Sequence, residues 1–187
     1  MNLYNKVEKF VIESFEKTGN AWEIPHAKRT AYWIKNLKPN ADETYLIAAI
    51  SHDIERAFGA EKRMARIKDL EFNDPEYIKP HEKKGAEIIA EFLEKNGADQ
   101  KTIKKVYDMI LKHEEGGTKD QDLLKNADSL SFFDGNHANN FMKRISDLGK
   151  RKVQAKIDWM YQRITSEKAK TIARPLYEQV IKKLEAI

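Results

Sequence analysis

Apolar residues recur at intervals of three and four from the first positions onward. Leu3, Val7, Phe10, Val11 and Phe15 fall on one face of a helix, and Gly19 follows as a stop. Pro25 opens a second helix carrying His26, Ala31, Trp33, Ile34 and Leu37, which Pro39 ends. Asn40, with Glu43 three residues on, resembles the cap of a third helix through Leu46, Ile47, Ile50 and Ile54. Beyond Gly59 the pattern loosens into a charged stretch through Asn73, Asp74 and Pro75, a candidate loop or lid. Helical spacing resumes from about His81 through Ile88, Ile89 and Phe92 to Gly97. It continues from an Asp99 cap through Ile103, Val106, Ile110 and His113 to Gly116 and Gly117. A shorter helix is expected around Leu123 to Phe133, then two long ones around Val153 to Ile164 and from Glu167 to Leu184, the last bent or interrupted at Pro175. No stretch shows the period of two that a strand needs, so the pattern predicts an all-α chain.

At 187 residues the chain has the size of a single domain, 1–187, able to bury a core without staples. The absence of cysteine excludes disulfides, thiolate metal sites and a cysteine nucleophile, so any metal must be held by histidine and carboxylate. The longest apolar run, Tyr45 to Ile50, is too short to span a bilayer, and Lys6, Glu8 and Lys9 stand where a secretory signal would be apolar. The expectation is a cytoplasmic protein without a membrane partner. The net charge is +4, but 34 basic residues are interspersed with 30 acidic ones, which reads as a solvated surface rather than a nucleic-acid footprint. The densest basic stretch, Lys143, Arg144, Lys150, Arg151, Lys152 and Lys156, reads in the same way as the charged outer face of a helix.

His52 and Asp53 are adjacent in a segment otherwise apolar on its inner side. Burying an imidazole beside a carboxylate is costly unless both are satisfied, and a divalent cation satisfies both. His26 begins the preceding helix, and Asp128 follows Leu123 and Leu124. A single buried histidine is more often a hydrogen-bonded core residue than a ligand; the joint pattern changes that reading.

The spacing of His26, His52-Asp53 and Asp128 resembles the signature of the HD-domain superfamily of metal-dependent phosphohydrolases. The segments His26-Ala-Lys-Arg29, Ala48-Ala-Ile-Ser-His52-Asp53-Ile54 and Asn126-Ala-Asp128-Ser-Leu130 resemble its first, second and last motifs. The likeness spans roughly residues 22 to 134, which implies an HD helical bundle there and a helical extension over about 135–187. His81-Glu-Lys-Lys-Gly85-Ala86 and His113-Glu114 resemble the third and fourth motifs of the two-metal members. If they carry over, His26, His52, Asp53, His81, His113 and Asp128 hold two cations with Asp53 bridging; the alternative is one cation with His81 and His113 as polar wall. Imidazole and carboxylate donors suit iron, manganese or zinc. The Gly-Tyr-Pro triplet of the branch that cleaves cyclic-di-GMP is absent, and Lys112 stands where that branch has a second histidine.

The resemblance implies hydrolysis of a nucleotide or another small phosphate ester or anhydride by metal-activated water, with Asp53 as the bridging catalytic carboxylate. Arg56, three residues after Asp53, is a candidate phosphate contact or a partner of Glu55 or Asp53. Arg29 and Lys84, a turn after His26 and His81, are further candidate anion contacts. Trp22 is a candidate edge of the pocket, and His137 reads as structural. Two other functions compete: a mixed-valent di-iron oxygenase of the same superfamily, and a non-catalytic nucleotide-binding sensor using its basic C-terminal helices. A homo-oligomer is open in each case.

Overall fold

The computed structural model describes residues 2–59 and 69–187. Among them are ten α-helices and two short 3-10 turns, with no strand. We number the helices α1 (Leu3–Lys17), α2 (Ile24–Leu37), α3 (Glu43–Ser51), α4 (Pro75–Lys95), α5 (Gln100–Ile110), α6 (Lys119–Asp134), α7 (His137–Met142), α8 (Ile145–Leu148), α9 (Lys150–Gln162) and α10 (Glu167–Glu185). The 3-10 turns are Ala21–Glu23 and Ile54–Ala57. The all-α expectation holds, and no helix among the described residues is long and apolar enough to cross a membrane.

Local chemistry accounts for most helix starts. Asn2, Asp42, Asp74 and Asp99 each accept a hydrogen bond from a backbone N–H of the first turn of α1, α3, α4 and α5. Thr118 and Gln121 form a reciprocal capping box on α6. Three expectations need correction. The cap of α3 is Asp42, whose side chain reaches Thr44 N at 2.9 Å, rather than Asn40. The fourth helix begins at Pro75, not near His81, because Asp74 caps it and Pro80 is accommodated inside it. Pro175 does not interrupt α10. It and Thr171, whose carbonyl loses its helical donor, are both exposed, so water can satisfy the freed group. Part of the expected loop after Gly59, residues 60–68, lies outside the described residues.

α6 is the axis of the molecule. Every residue from Leu124 to Phe133 is buried, which an amphipathic surface helix does not do. One apolar cluster gathers Val7, Val11 and Phe15 of α1 with Ile34, Ile47, Ile50, Ile89, Ile110 and Leu130. A second packs Phe132 and Phe133 of α6 against Phe141, Val153, Ile157, Met160 and Leu184. α6 therefore supplies both clusters, and Ile164, Ala169 and Ala173 from beyond residue 134 enter the first one. The C-terminal helices are packed into the same body as the rest. Total burial also obliges the polar residues of α6, Asn126, Asp128, Ser129 and Ser131, to find partners inside the protein.

Candidate metal centre

The six histidines and aspartates singled out in the sequence meet at one buried point. None of His26, His52, Asp53, His81, His113 and Asp128 is more than 5% exposed. They arrive from five separate segments: the first turn of α2, the end of α3, the second turn of α4, the end of α5 and the middle of α6.

His52 and Asp53 do not lie on a continuous helix, where neighbours diverge by about 100°. α3 ends at Ser51, and a 3-10 turn starts at Ile54. The break lets both side chains face the same point. His113 is set up in the same way, just past the last residue of α5. His52 Nδ1 lies 2.8 Å from Ala49 O, and His113 Nδ1 lies 2.8 Å from Ile110 O. Each ring is thus pinned to the carbonyl three residues back, in the last turn of its helix. The C-terminal ends of α3 and α5 both present negative dipole to this point, which favours a cation there.

The other two rings are pinned as firmly. His26 Nδ1 lies 2.7 Å from Ser131 Oγ, and His81 Nδ1 lies 3.0 Å from Glu55 Oε2. Gly85, one turn after His81, would bring an added Cβ to 3.3 Å from His52 O, so the glycine lets α4 approach closely enough for His81 to reach the centre. In all four rings Nδ1 faces outward to a fixed partner and Nε2 faces inward. That is the outer-sphere arrangement which fixes the tautomer and orientation of a metal-binding imidazole.

The inward atoms divide around Asp53. Its Oδ2 lies 3.6 Å from His26 Nε2 and 3.3 Å from His52 Nε2. Its Oδ1 lies 3.0 Å from His81 Nε2 and 3.8 Å from His113 Nε2. Asp128 Oδ1 completes the first group, at 2.9 Å from His26 Nε2 and 3.4 Å from His52 Nε2. Ligand atoms of His26, His52 and Asp53, of His52, His113 and Asp128, and of Asp53, His81 and His113 each lie within 4.8 Å of one another, spacing compatible with a shared ion. His52 Nε2, Asp53 Oδ2 and His113 Nε2 are buried without a hydrogen-bond partner among the described residues. Three orphaned atoms converging on one point are costly unless something binds them. Four imidazole nitrogens and two carboxylates fit a divalent transition-metal ion, or two sharing Asp53.

With protons alone to balance the carboxylates, the centre is electrostatically divided. Burial opposes charge on His81, yet hydrogen bonds to Asp53 and Glu55 hold it at about 9. Burial likewise opposes charge on His52, and the Asp53 and Asp128 carboxylates outweigh it. Burial wins at His113, which falls to about 4.

A ring of charge surrounds the six. Arg163, at the end of α9, donates to Asp128 Oδ2 and Glu114 Oε2, and its Nε reaches Ser129 Oγ at 2.9 Å. Burial would favour neutral Glu114, but Arg163 keeps its pKa at about 2. Arg56 forks onto Glu23, with Nη1 at 3.1 and 3.0 Å from the two carboxylate oxygens. Its Nη2 lies 3.1 Å from Asp53 Oδ2, close enough for charge attraction but without hydrogen-bond geometry.

Two anion-contact candidates stand elsewhere. Lys84 is 59% exposed and lies 3.9 Å from Glu87; the residue of that turn that faces inward is Gly85. Arg29 pairs with Asp134 and stacks on the Tyr32 ring at 3.8 Å, on the rim of an outer pocket shared with Trp22 and His26. Beside the cage a cleft opens that is lined by Trp22, Phe72, Phe141, Arg56, Arg144 and Lys156, with His26, Asp128 and Glu114 at its inner wall. His137 also lines it, stacked between the rings of His26 at 4.2 Å and Trp22 at 5.1 Å. Lys152 and Lys156 are buried rather than on the charged outer face their basic stretch suggested. Arg163 carried no motif, and only the burial of Asp128 among apolar neighbours hinted that a cation must come to it.

The chain belongs to the family described as a domain of unknown function (DUF4202). The family model matches residues 10–185, nearly the whole chain and every residue of the centre. No curated protein and no solved structure matches the chain.

Proposed function

We propose that this chain is a metal-dependent phosphohydrolase of the HD kind, acting on a nucleotide or another small phosphate ester or anhydride. Divalent ions of iron, manganese or zinc would be held by His26, His52, Asp53 and Asp128 on one side and by Asp53, His81 and His113 on the other. The observation that carries this reading is the orientation of the four imidazoles, each with Nδ1 fixed outside and Nε2 turned toward Asp53. A structural histidine core has no use for three unpartnered inward atoms.

A bound metal pair supplies a water of lowered pKa and a clamp for phosphoryl oxygens. The chain's own residues do the rest. Asp53 is the shared carboxylate, and Arg56, anchored on Glu23, keeps it ionised and oriented. Arg163 does the same for Asp128. The cleft beside His26 and Asp128 is the way in for a substrate, and its cations Arg56, Arg144 and Lys156 match an anionic one. No serine or cysteine nucleophile is required.

The test is turnover of a panel of nucleotides and small phosphate esters by manganese-loaded protein, alongside His52→Ala and Asp53→Ala. Wild-type turnover reduced at least about a hundredfold in both variants is expected. Full activity in either variant would remove the metal centre from the reaction. Oxygen consumption by iron-loaded protein, with no phosphate released, would favour the oxygenase reading of the same donors.

A further inference from the structure

Arg56, Arg163, Lys125 and Lys156 stand around the centre, and the first three are neutralised. Arg56 faces Glu23 and Asp53, Arg163 faces Glu114 and Asp128, and Lys125 faces Asp122 and the carbonyl of Glu115. Lys156 on α9 is the exception. It is 7% exposed, its Nζ stands 4.2 Å from the centre of the Trp159 ring and 5.6 Å from that of Phe72, and it lines the cleft. Among the described residues no carboxylate oxygen lies within 4.0 Å of it and no acceptor takes a hydrogen bond from it. Glu114, an acid of the same cleft, is occupied by Arg163.

A buried ammonium without an anion is costly, and folds usually avoid it. Here the ammonium borders the same cleft as His26 and Asp128, and two aromatic rings hold its stem and head in place. We propose that Lys156 is the residue that binds the substrate's phosphate, supplying from the cleft wall the charge-assisted hydrogen bond that the described residues leave unmade. The inference rests on the phosphohydrolase reading and adds a residue outside the stretch that resembles HD proteins. Burial, against the opposing pull of the Glu114 carboxylate, has already moved the pKa of Lys156 down to about 8.

The experiment is calorimetric titration of inorganic phosphate into manganese-loaded wild type, Lys156→Met and Lys156→Arg, with metal content and thermal midpoint measured on each. Methionine keeps the stem and removes the charge. Lys156→Met is expected to bind phosphate about 10-fold or more weakly, the usual worth of a hydrogen bond to a charged group. Lys156→Arg is expected to keep most of the affinity. Metal content stays the same, and the midpoint of Lys156→Met is equal or higher because an uncompensated buried charge is gone. Unchanged phosphate affinity in Lys156→Met would overturn the role of Lys156 and leave the metal centre standing. A lower midpoint with metal loss would make Lys156 structural and overturn it too. Wild type that binds metal but no phosphate would sink both this inference and the phosphohydrolase reading.

Discussion

In the histidine–aspartate cage every imidazole commits one nitrogen to a fixed partner, whereas the cleft beside it holds Lys156 with no hydrogen-bond partner among the described residues. The two regions share residues and walls, yet they are finished differently. The cage is organised from outside inward: carbonyls of Ala49 and Ile110, the Ser131 hydroxyl and the Glu55 carboxylate aim four rings before anything binds. Such preorganisation belongs to a permanent occupant, because the ordering is completed during folding. The cleft has aromatic walls and a cation held ready, which suits a visitor that arrives, reacts and leaves.

The strongest way to break this contrast is to remove the charge that joins the two regions. Arg163→Ala leaves Glu114 and Asp128 as buried carboxylates without their cation, and removing one partner of a buried pair costs about 3–5 kcal/mol. A fall of roughly 10 °C in the thermal midpoint follows for a chain of this size. A shift under a degree or two would mean that the pair is not formed in solution. Glu55→Ala strikes the cage by releasing His81 Nδ1. The ion bound by Asp53, His81 and His113 should weaken about 10–100-fold in a metal titration while the other is retained. Equal weakening of both would show that the centre binds as one unit.

The mildest probe acts on the cleft alone. Lys156 has its pKa lowered to about 8 from an ordinary 10.5, so the free protein loses this cation as pH rises through about 8. The protonated form binds an anion more tightly, so phosphate affinity should fall by about tenfold in all as pH rises past that point, the same loss as in Lys156→Met. In Lys156→Arg the fall should be absent between pH 8 and 9.5, since guanidinium stays charged. An identical profile in both proteins would assign the pH dependence to another group.

The helical periodicity made the fold class legible, and the histidine and aspartate motifs picked out the six residues that the fold brings together. What could not be read was where helices stop. The end of α3 at Ser51 and of α5 at Ile110 are tertiary outcomes, and they decide that His52 and Asp53, or His113, face the centre. Spacing on an assumed continuous helix favoured Lys84, when the inward position of that turn is Gly85. Lys156 and Arg163 were hidden for a different reason: in sequence they are two members of a basic stretch or its surroundings, and only the packing of α9 on α6 turns them inward. Pattern reveals which residues can do chemistry; burial reveals which of them have to.

The central claim is that Asp53 is shared by two cations, and the direct measurement is metal content per chain by elemental mass spectrometry. It is made on wild type purified without chelator and on the His81→Ala, His113→Ala double variant, with helicity checked for both. The account predicts two equivalents in wild type falling to about one in the variant, because His26, His52, Asp53 and Asp128 remain. One equivalent in both proteins would contradict it and reduce His81 and His113 to the wall of a single-metal site.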